Sequence, residues 1–164
     1  MSGCFYFISN RFYDDFSDSG LMRNKKGKPG ELGGRPCFFA FQDSVNSDIF
    51  WLIPISSKLE KYKMIQKRIT EKHKSCNTLY FCNVLGKERV FLIQNMFPIT
   101  RNYIEETYLN QRNEEVKISS ANEKQIIRKA KTAFRLHHRG KNIFFVDIEF
   151  IKKELIKKLN PPNP

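Results

Sequence analysis

Two apolar runs close together in the chain constrain this fold more than any other feature. They are Pro36-Cys37-Phe38-Phe39-Ala40-Phe41 and Ile49-Phe50-Trp51-Leu52-Ile53-Pro54-Ile55. Each is short for a helix and rich in aromatic and branched residues, which is the composition of a buried strand. The polar stretch Asp43 to Asp48 between them suits a reversal, so the pair predicts an antiparallel hairpin. Pro36 suits the first position of its strand, where a missing amide proton does least harm. Pro54 marks the place where the second strand's ladder stops or bulges.

The remaining pattern extends this start. Gly3 to Ser9 reads as a first strand. Thr78 to Val84 and Arg89 to Ile93 read as two more, joined through Leu85-Gly86-Lys87-Glu88. Ser57 and Glu60 have capping-box spacing ahead of Leu59, Tyr62, Ile65 and Ile69, which recur at helical spacing. Thr100 caps a short helix from Arg101 to Leu109. Ser120 and Glu123 repeat the capping box before Ile126, Ala130, Ala133, Phe134 and His137, and Gly140 stops that helix. Asp147 caps a last helix carrying Ile148, Ile151, Leu155 and Leu159. The reading is α+β, with about five strands in an antiparallel sheet and about four helices. It gives one domain over residues 1–160 and a tail at 161–164.

Charge narrows the function. The chain of 164 residues holds 29 Lys plus Arg against 17 Asp plus Glu, a net charge of +12. Such an excess repels itself and is relieved by a polyanion, either nucleic acid or anionic lipid. No apolar run reaches the roughly 20 residues that cross a bilayer. Gly3 to Ile8 is too short, and lacks the basic flank, for a signal peptide. Cys4, Cys37, Cys76 and Cys82 form no C-x-x-C pair and have no zinc-type spacing with His73, His137 or His138. A cytoplasmic protein is expected, without disulfides, structural metal or cofactor. Most of the 15 Phe lie in strand-like runs and read as core.

The segment Pro54-Ile55-Ser56-Ser57-Lys58 carries the chemistry most plainly. Two hydroxyls and an ammonium group fall where a strand gives way to a helix start, and unpaired helix-start amides there make a seat for phosphate. The plainer reading is a cap and a solvated lysine. Arg35 is the second candidate, leaving a glycine-rich loop with Lys25, Lys26 and Lys28 just as a strand begins; arginine clamps phosphate with two parallel hydrogen bonds. The lysine-rich helix after Ser57, with Lys61, Lys67 and Arg68, suits a phosphate backbone or an ordinary solvent face. The histidines fit helix ends better than acid–base roles. Nucleotide loops and the nucleophile elbow are absent, and the acidic residues are too scattered to converge on a metal.

Four blocks in order resemble one family: Gly34-Arg35-Pro36-Cys37-Phe38-Phe39, then Trp51 to Lys58, then Val84-Leu85-Gly86-Lys87-Glu88, then Phe91 to Thr100. They are similar to the CptN branch of the type III toxin–antitoxin toxins, relatives of ToxN and AbiQ, over about residues 3–159. The resemblance implies a bent antiparallel sheet akin to the barrel-like core of Kid and MazF, with helices around it. It implies an endoribonuclease that works without a metal and inhibits growth or phage multiplication. Its partner would be a small folded antitoxin RNA, a pseudoknot, cut from its own repeat precursor and bound in a protein–RNA assembly. The family's hydroxyl–hydroxyl–lysine motif falls on Ser56, Ser57 and Lys58. The ToxN branch has one residue before its lysine where this chain has none, which brings Lys61 into that role as well. Arg35 stands where that branch has a lysine, and an early tyrosine of the branch falls near Phe12 or Tyr13. The reading expects Arg35, Ser56, Ser57 and Lys58 at the scissile linkage. Tyr13, Lys25, Lys26, Lys28, Lys61, Lys67 and Arg68 are expected on the RNA. The competing reading is a non-catalytic RNA-binding module, in which aromatics stack bases and lysines follow phosphates.

Overall fold

A computed structural model describes residues 3–25 and 34–161. Along the chain run β1 (Phe5–Ile8), α1 (Asn10–Asp15), β2 (Cys37–Gln42), β3 (Phe50–Ser56), α2 (Leu59–His73), β4 (Leu79–Val84) and β5 (Lys87–Leu92). They are followed by β6 (Phe97–Ile99), β7 (Ile104–Thr107), α3 (Ser120–His138) and α4 (Ile148–Leu159). The expected hairpin is β2 with β3, paired from Cys37 opposite Pro54 to Gln42 opposite Phe50. Both strands are buried along most of their length, because neighbours cover both edges and both faces.

The sheet has seven strands, all paired antiparallel, in the order β4-β5-β3-β2-β1-β7, with β6 also on β3. Its path ends at β4 and β7, so the sheet is open and the barrel expected from the resemblance is corrected. The outer edge of β3 is shared. Ile55 and Ser56 pair with Phe91 and Val90 of β5, whereas Phe50 to Leu52 pair with Ile99 to Phe97 of β6. The Ile55 amide donates toward β2, to the Pro36 carbonyl at 3.4 Å. By backbone alternation the Pro54 nitrogen then faces the outer edge, where it has no proton to give. Opposite that gap the chain turns through a single 3₁₀ turn, Ile93–Asn95.

That turn is a buried anchor. The Asn95 side chain donates to the Gly20 carbonyl at 2.9 Å, and the Phe145 amide donates to the Gln94 carbonyl at 2.8 Å. Gly20 must be glycine here, since a Cβ would lie 2.1 Å from the Phe145 carbonyl oxygen. Helix α3 packs on β2, α4 on β6 and α2 on β5. Under α2, Tyr62 meets Leu79, Val90 and Leu92 in a cluster apart from the main core.

Several local expectations shift. Ser119 rather than Ser120 caps α3, accepting from the Asn122 amide at 3.3 Å. Asp147 caps α4 as read, accepting from the Phe150 amide at 3.1 Å. The capping box at Ser57 does not form: Lys58 holds the cap position of α2 with no side-chain bond. The helix expected from Arg101 to Leu109 is a 3₁₀ turn followed by β7. Its residues Ile104 to Thr107 cover the free edge of β1, and pairing there overrides a weak helical preference.

Candidate functional site

A cleft of about 400 Å³ opens where the β2–β3 hairpin ends. Arg35 enters it from the residue pair before β2. The loop is pinned by Asn24, which accepts from the Arg35 amide at 3.2 Å and donates to the Ile8 carbonyl at 2.7 Å and to Asn10 at 3.0 Å. Gly34 lets this segment lie against Phe7, whose ring carbon would sit 2.4 Å from an added Cβ. The Arg35 guanidinium reaches across and donates from Nη1 to the Ile55 carbonyl at 2.9 Å. Its Nε is buried and has no partner among the described residues. A buried donor left in that state is costly unless a ligand completes it.

Ser56 and Ser57 lie beside it on the same wall. Ser56 is buried, and its Oγ accepts from the Lys58 amide at 3.2 Å, which leaves the hydroxyl proton free to donate. Ser57 is exposed to the cleft. The lining continues onto β5, which pairs with the end of β3 at Ile55 and Ser56. Lys87 and Arg89 line it, and Arg89 is steadied by a bond from Nη1 to the Glu88 carbonyl at 2.9 Å. Lys25, Tyr108 and Gln111 complete the lining. Among the described residues, Lys25, Arg35, Lys87 and Arg89 are the four cations of this lining, which holds no carboxylate and no imidazole. Clustered cations without acids give a concentrated positive field, the condition for seating a phosphodiester.

Arg35, Ser56, Ser57 and Lys25 are therefore brought together. Lys58 is exposed and is not among the groups lining the cleft. Tyr13 is 1 % exposed, with its ring in the core and its hydroxyl without a partner among the described residues. Burial pushes its phenol well above the usual range, with opposing help from Arg35 and Arg23. Lys61, Lys67 and Arg68 are exposed on α2, which packs on the face of the sheet that carries Val90 and Leu92. Lys87 and Arg89 alternate to the other face of the sheet, while the start of α2 stays close to the cleft, since the Arg35 charge is felt at Tyr62. Lys61 lies over the Tyr62 ring at 5.4 Å, and Lys67 pairs with Glu71 at 4.0 Å. Lys26 and Lys28 lie outside the described residues.

Lys87 and Arg89 escaped sequence reading. Their signal was present in the alternation Lys87-Glu88-Arg89 straight after a turn glycine, which places two cations on one strand face and sends Glu88 to the other. There Glu88 pairs with Lys63 at 2.9 Å.

A second groove of about 1000 Å³ lies between α3 and the β2–β3 turn. Phe41, Trp51 and Phe134 floor it, and Lys124, Arg128, Lys131 and Arg135 line its helical side. Asp43 locks its base, accepting from Trp51 Nε1 at 2.9 Å and Lys152 Nζ at 2.8 Å. His137 and His138 meet Glu149 at 3.9 and 3.7 Å at this end, away from the cationic cleft. Among the described residues no group of three or more His, Cys, Asp or Glu could hold a metal ion, and no helix is long and apolar enough to cross a membrane.

Fold and site together define a class: an open antiparallel sheet, flanked by helices, with a cationic cleft at the end of its central hairpin whose described residues include no carboxylate. Solved structures of that fold exist. The chain is similar to AbiQ, a lactococcal anti-phage endoribonuclease belonging to the type III toxin–antitoxin system. That likeness has a TM-score of 0.69 at 15% identity and spans 97% of this chain and 99% of the other. A protein from a bacterial antiviral system regulated by a processed non-coding RNA matches with a TM-score of 0.63 at 15% identity, over 96% of this chain and 98% of the other. No protein-family model matches the chain, and no curated protein matches it by sequence. At this identity the likeness is one of fold.

Proposed function

We propose that the protein is an endoribonuclease toxin of a type III toxin–antitoxin system, of the CptN kind. The observation that carries this reading is Arg35, whose buried Nε lacks a partner among the described residues, beside the paired hydroxyls of Ser56 and Ser57 in a cleft whose described lining has no acid. A cationic site of that shape suits one RNA linkage, and AbiQ, which shares the fold, is an endoribonuclease of such a system.

The reaction is attack of a ribose 2′-hydroxyl on the adjacent phosphorus. The bond to the 5′-oxygen breaks, leaving a 2′,3′-cyclic phosphate and a 5′-hydroxyl, so DNA is not cut. Arg35 neutralises the charge that builds on the non-bridging oxygens, with Arg89 and Lys87 lining the same cleft. Ser56 and Ser57 donate to the phosphate and hold it for in-line attack. The reading needs no metal, and among the described residues the cleft walls offer no carboxylate to bind a divalent ion. As attack proceeds, the 2′-hydroxyl proton passes to a neutral lysine amine of the cleft or to solvent, and the departing 5′-oxygen takes up a proton from a lysine ammonium or from solvent. In this reading the toxin cuts its own antitoxin precursor in the cytoplasm and is held inactive by the folded RNA repeat. Lys58 and Lys61 serve the longer RNA rather than the scissile linkage.

One observation favours a non-catalytic RNA-binding module: among the described residues the same walls lack an imidazole or carboxylate to take that proton. Purified protein incubated with RNA in chelator, followed by mapping of the new ends, separates the two. Cyclic phosphate and 5′-hydroxyl ends that disappear with Arg35→Ala and Ser57→Ala support the nuclease. Retained binding with no new ends sinks it.

A further inference from the structure

The tip of the β4–β5 turn is built against its own backbone preference. Leu85 has φ +52° and Gly86 φ +73°. A two-residue turn with both angles positive favours Asn or Asp before the glycine. Leucine in the left-handed region is disfavoured, and Leu85 is also 51 % exposed, so core burial does not compensate it. Strain of this kind persists at sites where the side chain has a task outside the folded chain.

Its position says what the task is. Leu85 stands between the cationic cleft and a second hollow of about 410 Å³. The far side of that hollow is the loop Asn110–Arg112. Asn110 fixes the loop: its Oδ1 accepts from the Arg112 amide at 2.8 Å and the Glu114 amide at 3.0 Å, and its Nδ2 donates to Glu114 at 2.9 Å. The Asn110 amide also donates to the Glu114 carbonyl at 2.9 Å. With Asn110 occupied, the Gln111 and Arg112 side chains are left without partners among the described residues, and Gln111 borders both hollows. An apolar ledge and a free amide, one step from a phosphate seat, match the face and the edge of an unstacked base.

We infer that this hollow takes the nucleobase next to the linkage seated in the cleft, and that Leu85 and Gln111 decide which base is accepted. The inference rests on the reading of the cleft as an RNA site. Leu85 supports the face of the base, the Gln111 amide bonds its edge, and Arg112 meets the following phosphate. The ligand is single-stranded RNA, because a paired base cannot enter.

The test uses a random-sequence RNA pool cut by the parent, Leu85→Asn and Gln111→Ala, with the new ends sequenced. The parent cuts with one preferred base beside the break, and both variants lose about tenfold of that preference, the size of one lost base contact. Leu85→Asn gives the turn its favoured residue, so a merely structural role leaves the parental cut sites in place. Parental cut sites from both variants overturn the inference. If the parent cuts nothing, the nuclease reading fails, and binding decides this one separately. Labelled single-stranded homopolymers then bind the parent with about tenfold discrimination, which both variants lose. Equal discrimination by all three overturns it.

Discussion

The two grooves of this protein differ in the acids that stand among their cations. In the large one, Lys152 is bound to the Asp43 carboxylate at 2.8 Å and Glu149 adds a second negative charge, while Arg128 bonds the neutral Gln125, Arg135 the neutral Thr132, and Lys124 and Lys131 have no partner among the described residues. In the small one, Arg89 holds a backbone carbonyl, Arg35 keeps a buried donor unpaired, and Lys25 and Lys87 have no partner among the described residues. Size and an apolar floor favour the large groove as a binding place. The small one has no carboxylate among its described lining residues whereas the large one has Asp43 and Glu149, and for a phosphodiester that difference decides.

The sharpest way to break that contrast is Arg35→Ala. Removing a preorganised charge-stabilising donor lowers kcat/KM for RNA cleavage by about a hundredfold or more. Arg135→Ala in the large groove changes it by less than about twofold. Equal losses from the two would erase the distinction.

Asp43→Ala tests the opposite property. It strands the Trp51 indole and the Lys152 ammonium, costing about 2–3 kcal/mol in chemical denaturation while activity per folded molecule stays. Burial raises the Asp43 pKa, but bonds from Lys152, Trp51 and the Asn46 and Val45 amides outweigh it and hold the carboxyl below the usual range. A depressed pKa contributes stability that is complete above the unfolded value, about 3.9, and lost as pH falls through the folded one. Acid unfolding below about pH 4 is therefore shallower in Asp43→Ala than in the parent.

Lys87→Ala gives a smaller change, about tenfold weaker RNA binding at low salt. It also lowers the slope of log affinity on log salt by about 0.7, as loss of one phosphate contact from single-stranded RNA requires. The smallest expected effect is on stability: Leu85→Asn relieves the strained turn and raises Tm by about 2–4 °C for roughly 1 kcal/mol. An unchanged or lower Tm would mean the leucine is packed rather than strained.

The central hairpin was legible because its strands are apolar on both faces, and Arg35, Ser56 and Ser57 were legible because they stand where that hairpin ends. Other parts depend on partners distant in sequence. β6 and β7 are three and four residues long and are strands only because β3 and β1 offer edges there. Tyr13 resembles an exposed recognition residue in the sequence, but α1 turns it into the core. The lysines of α2 read as one basic surface with the site; Lys61, Lys67 and Arg68 are exposed on that helix and do not line the cleft. Lys87 was hidden by reading Leu85 to Glu88 as the whole turn, when Leu85 and Gly86 suffice and β5 begins at Lys87.

That two-residue turn has a further consequence. Along β5 cation and carboxylate alternate, so the sign of the cleft wall depends on strand register alone. One residue inserted after Gly86, with the pairing of Val90 and Phe91 to β3 kept, is absorbed as a wider loop. The same residue accommodated by sliding β5 would bring Glu88 inward and send both cations out, turning an anion seat into an anion barrier without altering a single side chain.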